Sequence, residues 1–180
     1  MKIAFYLGSF NPFHNGHLKV IETALTRDGM DKVVIVPTMQ SPWKYNKVLD
    51  LYSRCNIINL SIMPLLKIYG KNSISIDLIE RELESPYYSY KTLNRLREEY
   101  SRNGENSLYF LCGQDTVSNI SRWYNGDKII NEWMFLVVDR PEGSISSSEI
   151  RKLVKECKDI SPYVHNRVKD MIIRYYYYEV

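Results

Sequence analysis

Apolar and polar positions along the chain follow two alternating periods. Ile3 to Leu7, Lys32 to Pro37, Leu108 to Cys112 and Trp133 to Val138 are short apolar runs of the kind that form strands buried on both faces. Ser73 to Asp77 alternates like a further short strand. Between these runs the apolar residues recur at helical spacing: from about Gly16 to Arg27, and from Leu49 to Leu66 with Pro64 and Gly70 marking the far end. Helical spacing recurs from Tyr88 to Tyr100, ended by Asn103 and Gly104, and in the stretches Ser146 to Lys158 and Pro162 to Tyr178. Thr38 to Lys47 carries turn residues without a period and is read as a loop at the carboxyl end of the second strand. Strands alternating with helices predict βαβ units, hence an α/β fold with an open parallel sheet and helices on both faces. No repeat, linker or charge run divides the chain, so one domain over residues 1–180 is expected, its C-terminal helical part starting near Ser146.

Composition narrows the class. The 180 residues suffice for one well-buried core, and 44% hydrophobic with 25% charged residues is ordinary for a globular chain. No apolar stretch is long enough to span a bilayer, and the N-terminus runs directly into a strand, so no membrane association and a cytoplasmic location are expected. Cys55, Cys112 and Cys157 are an odd number without Cys-x-x-Cys spacing, which suggests neither a disulfide framework nor a zinc knuckle. A net charge of +3 suits anionic small substrates and is too mild to argue for a nucleic-acid partner. The 15 tyrosines read as composition bias, and the role of the tyrosine-rich end and the existence of a homo-oligomer stay open.

Gly8 to His17, Gly-Ser-Phe-Asn-Pro-Phe-His-Asn-Gly-His, is the most informative segment. It joins a strand to a helix, where free N–H groups and the positive end of the helix dipole favour a phosphate. Gly8 and Gly16 leave the backbone open to a ligand, and His14 and His17, three apart, can face the same anion. A glycine-bearing turn after a first strand is also common in any α/β protein, and a His-x-x-His pair can be half of a metal site, although no carboxylate or thiolate nearby completes one. The turn is neither a Walker loop nor a Gly-x-Gly-x-x-Gly fingerprint.

The segment resembles the nucleotidylyltransferase signature Gly-x-Phe-x-Pro-x-His-x-Gly-His, with every fixed position filled. Ile145 to Arg151 resembles that superfamily's Ile-Ser-Ser-Thr/Ser-x-Ile-Arg motif. Its Ser146 and Glu149 also form a helix cap, and both readings are compatible. The resemblance implies a Rossmann-like sheet, with ATP bound by Gly8, Ser9, Phe10, Gly16, Gly113, Asp115, Ser146, Ser147 and Ser148. It implies His14, His17, Lys44 and Arg151 as the catalytic set.

Further segments are similar to the nicotinate mononucleotide branch of that family. Ser41-Pro42-Trp43-Lys44 stands where the branch has Pro-Pro-His-Lys, keeping the lysine and replacing the histidine by Trp43 and the first proline by Ser41, so the imidazole proton donor of the branch is not supplied there. Pro86-Tyr87-Tyr88-Ser89, Trp123 and Val137 to Pro141 match branch segments, and Arg54 matches its arginine after the loop. The mononucleotide site implied is Asn11, Tyr88, Ser89, Trp123 and Arg140. Read without the resemblance, an aspartate placed like Asp115 is more often a helix cap, and Trp123 is also compatible with the core.

The implied reaction is adenylyl transfer from ATP to nicotinate mononucleotide, the NAD-biosynthetic step that yields a dinucleotide and pyrophosphate. The acceptor phosphate, with a second pKa of about 6, is largely dianionic at neutral pH and needs no enzymic base. What remains is to hold two polyanions together and offset growing charge. Mg²⁺ is expected to bridge the phosphates, held by substrate oxygens and water, with no protein metal ligand assigned. The alternatives are nicotinamide mononucleotide as acceptor, phosphopantetheine or cytidylyl transfer on the same fold, and a nucleotide sensor that performs no transfer.

Overall fold

The central strand of the sheet carries the signature turn. In the computed structural model, which describes residues 1–39, 48–102, 104–139 and 143–176, β1 (Lys2–Gly8) pairs on one side with β2 (Lys32–Pro37) and on the other with β4 (Ser107–Cys112). β3 (Ile74–Ile76) and β5 (Met134–Val137) add the outer strands in the order β3-β2-β1-β4-β5, every pairing parallel. The expected α/β sheet is thus present. Because the chain first builds outward through β2 and β3 and then crosses to β4, the strand order reverses between β1 and β4, where such sheets open a crevice at their carboxyl ends.

Period-two alternation sorts the strand side chains into two cores. Ala4, Tyr6, Val33, Ile35 and Leu111 pack with α1 (Asn15–Thr26), α2 (Leu51–Tyr69), α6 (Ser147–Lys155) and α7 (Lys169–Arg174) through Ile21, Ile58, Ile150 and Ile172. Ile3, Phe5, Val34, Val36 and Phe110 face the opposite way, against α3 (Ser89–Ser101) and α5 (Gly126–Glu132) through Leu93, Leu96 and Ile129. Each such buried side chain contributes about 1.5–3 kcal/mol. No helix of the described residues is long and apolar enough to cross a membrane.

Several boundaries differ from expectation. α2 passes Pro64 and continues three residues beyond the expected Leu66 to stop at the expected Gly70, because Pro64 is exposed and Ile62 and Leu65 on either side are buried, so packing holds the helix across the missing N–H. The stretch Pro162 to Tyr178 is not one long helix: a single 3-10 turn, Asn166–Val168, precedes a short α7. α4 (Gln114–Asn119) and α5 are absent from the sequence reading, both being too short to show a helical period. Asn125 in the left-handed region (φ 52°) starts α5, and Gly126 follows because a Cβ there would lie 1.9 Å from the Ile120 carbonyl oxygen.

Candidate active site

A cleft of about 830 Å³ opens at the carboxyl ends of the strands. Residues following β1, β2, β4 and β5 line it, together with the start of α6, as the topology requires. Gly8, Ser9, Phe10, Asn11, His17, Tyr88, Ser89, Gly113, Asp115, Trp123, Ser146, Ser147, Ser148 and Arg151 all reach it. His14 and Gly16 do not line this cleft. Gly16 borders a smaller hollow of about 260 Å³ with Tyr163, and His14 is buried. Lys44, with Ser41 to Trp43, and Arg140 lie outside the described residues.

The signature turn is built around Phe10. Its backbone sits at φ 46°, a conformation that costs a bulky residue about 1–3 kcal/mol. The ring is nonetheless buried, edge-on to Tyr6 and to His17, and folds over Gly8, where a Cβ would meet it at 3.0 Å. Gly8 therefore serves Phe10 as well as the open backbone.

His14 is the N-cap of α1 and accepts the Gly16 N–H at Nδ1 (3.1 Å), while His17 Nδ1 accepts the His14 N–H (3.2 Å). Both imidazoles thus spend Nδ1 on backbone donors, which places the proton of each neutral ring on Nε2. The ring centroids are 3.7 Å apart, and His17 stacks on Phe13 at 5.1 Å. His17 is thereby a donor of fixed tautomer at the cleft wall.

The hydroxyls at the start of α6 are largely engaged. Ser146 caps the helix, its Oγ 2.6 Å from Glu149 Oε2, and these hydrogen bonds lower the Glu149 pKa. Ser147 Oγ donates to the Pro12 carbonyl at 2.9 Å. Arg151 donates from Nη1 to the Asn11 carbonyl (2.6 Å) and from Nη2 to Ser148 Oγ (3.1 Å). Since Ser148 Oγ accepts there, its proton is available to the cleft, along with the N–H groups of the first helical turn.

Arg54, expected only from resemblance, is 1% exposed and donates to three carbonyls: Leu49 (2.8 Å), Ser9 (2.7 Å) and Thr38 (2.8 Å). Desolvation lowers its pKa from the usual arginine value, partly offset by nearby acidic groups. It joins the signature turn to the segments before and after residues 40–47.

Sequence reasoning missed Tyr124 on the cleft wall, which Tyr87 and Asp139, members of the two branch-like segments, also line. Tyr124 stacks on Tyr88 at 4.3 Å, and Asp139 Oδ1 accepts the Gln114 N–H that opens α4. The position of Tyr124 directly after Trp123 was the available signal. Cys112 also borders the cleft, but burial, aided by Asp115 and Asp139, pushes its thiol up to about 12, so it supplies no thiolate. Among the described residues no three His, Cys, Asp or Glu side chains cluster to hold a metal ion.

Comparison with known proteins follows the same lines. The profile of the cytidylyltransferase-like family matches residues 5–161. A probable nicotinate-nucleotide adenylyltransferase of Fusobacterium nucleatum is 30% identical over 98% of this chain and 99% of its own, and the nicotinate-nucleotide adenylyltransferase of Bacillus subtilis is 28% identical over 95% of each. The solved structure of Plasmodium falciparum nicotinic acid mononucleotide adenylyltransferase complexed with NaAD superimposes with a TM-score of 0.77 at 22% identity, covering 97% of this chain and 95% of that one. That likeness is one of fold.

Proposed function

Because this chain belongs to the cytidylyltransferase-like family, we propose that its cleft transfers the adenylyl group of ATP to nicotinate mononucleotide, giving nicotinate adenine dinucleotide and pyrophosphate. Relatives carrying the name of this activity match over nearly the whole of both chains. The observation that supports it best is the double lining of one cleft: anion-binding donors from His17, Ser148, Arg151 and the α6 N-terminus share it with the aromatic group Tyr88, Trp123 and Tyr124. Phosphates call for the first set and a planar base for the second.

The acceptor phosphate attacks the α-phosphorus of ATP, forming the new P–O bond while the bond to pyrophosphate breaks. Charge grows on the α-phosphoryl and leaving oxygens. His17, through Nε2–H, and Arg151 offset it, with Lys44 acting in the same way. His14 acts by capping α1 and packing on His17. A divalent ion such as Mg²⁺ would be held by the phosphate oxygens of the substrates and by water, and would supply charge neutralisation beside His17, Arg151 and Lys44.

A pyrophosphate-release assay with ATP and three acceptors tests this reading. Turnover should be fastest with nicotinate mononucleotide, slower with nicotinamide mononucleotide and absent with phosphopantetheine. Saturable ATP binding without pyrophosphate release from any acceptor would identify a nucleotide sensor instead.

A further inference from the structure

Tyr176 stands near the end of the chain and is 1% exposed. Its hydroxyl donates to Oδ1 of Asn11, 165 positions away. The Leu49 backbone N–H donates to the same oxygen at 3.2 Å. A backbone N–H can only donate, so the amide end it faces is oxygen, and the phenol sharing that oxygen must donate as well. Burial raises the Tyr176 pKa above the ordinary phenol value, which keeps the hydroxyl protonated. The Asn11 carbonyl is held separately by Arg151. Every acceptor on Asn11 is thus occupied, while its Nδ2 has no partner among the described residues and the residue lines the cleft.

We propose that Tyr176 is a positioning residue: its hydroxyl holds the Asn11 amide with the NH₂ turned to the cleft, where it donates to a phosphoryl oxygen of the acceptor mononucleotide. The proposal rests on the function given above. A primary amide has two flipped orientations, and the wrong one would present oxygen to a phosphate and repel it. Two donors on Oδ1 remove that orientation before substrate arrives, so the attacking phosphate meets a fixed donor. The C-terminal segment thereby acts on the chemistry without touching substrate.

Tyr176→Phe keeps the buried ring and removes only the hydroxyl. kcat with nicotinate mononucleotide should fall about tenfold, the KM for ATP should stay in place, and the melting temperature should drop by no more than about 3 °C. In an Asn11→Ala background the same substitution should cause no further fall in kcat. An equal fall in both backgrounds overturns the proposal. Side-chain ¹⁵N relaxation of the Asn11 NH₂ in the unliganded protein reads the positioning without turnover. Greater amide motion in Tyr176→Phe is expected, and an equally ordered amide overturns the inference. If the unaltered protein released no pyrophosphate, the functional reading would fail, and the relaxation measurement would still decide whether Tyr176 fixes the amide.

Discussion

His14 and His17 cap a single helix together, each Nδ1 taking a backbone N–H of the same turn, with ring centroids 3.7 Å apart and only His17 on the cleft wall. The two residues of the His-x-x-His pair are therefore separable in experiment. His17→Ala removes the donor facing the cleft and should lower kcat roughly 10²-fold or more, the scale of one lost transition-state donor. The fold should persist at a stability cost of about 1 kcal/mol for the cap. Steady-state kinetics alongside urea unfolding separates the two effects, and near-normal kcat would remove His17 from the mechanism.

Arg54 binds carbonyls of Ser9, Thr38 and Leu49 through one buried guanidinium. A lysine is one charge of the same sign, yet its single ammonium cannot span three acceptors set out for a planar fork. Arg54→Lys should lose about 2–4 kcal/mol in urea unfolding, and kcat/KM should fall with it because Ser9 and Thr38 both border the cleft. Retention of full stability would show that the fork geometry is dispensable.

Glu80 is buried, with Oε2 accepting the Met39 N–H and Oε1 the Thr92 hydroxyl, both at 2.7 Å. Desolvation raises its pKa above the ordinary glutamate value, against the opposing pull of those hydrogen bonds and of Arg54. A carboxyl with a raised folded pKa binds more protons folded than unfolded, so it lowers stability as pH climbs from the unfolded value, about 4.3, through the folded one. Glu80→Gln retains an acceptor and abolishes this titration. Urea unfolding from pH 4 to pH 8 should show the stability difference moving steadily in favour of the variant. A pH-independent difference would contradict the assignment.

Gly126 has no room for a side chain, since a Cβ there would lie 1.9 Å from the Ile120 carbonyl oxygen, whereas a Cβ at Gly70 (φ 95°) would meet nothing within 4 Å. Gly126→Ala must push the start of α5 away from the preceding turn and should cost about 3 kcal/mol. Gly70→Ala meets only the backbone penalty of its positive φ, about 1 kcal/mol. Thermal unfolding of the pair ranks the two costs, and the reverse order would refute the packing account.

Much of the architecture was legible because it follows from local periods. Apolar runs such as Ile3 to Leu7 and Leu108 to Cys112 are read correctly since a strand buried on both faces needs no more than continuous hydrophobicity. The Ser146–Glu149 cap was legible for the same reason, its partners being three residues apart. The far end of α2 was legible at Gly70, its C-cap, whereas Pro64 marks no boundary because packing of Ile62 and Leu65 outweighs that local helix-breaking signal. α4 and α5 left no period long enough to read.

The sequence alone determined which residue types arrive at the carboxyl ends of the strands, because strand alternation and the βαβ order dictate that placement before any contact is made. Tertiary structure decided what each of those residues does there. It sent His14 into the interior and His17 to the cleft, engaged the Ser146 and Ser147 hydroxyls in capping and in a bond to Pro12, and brought Tyr176 onto Asn11. These outcomes depend on contacts between segments far apart in the chain, and no local period encodes a partner at that separation.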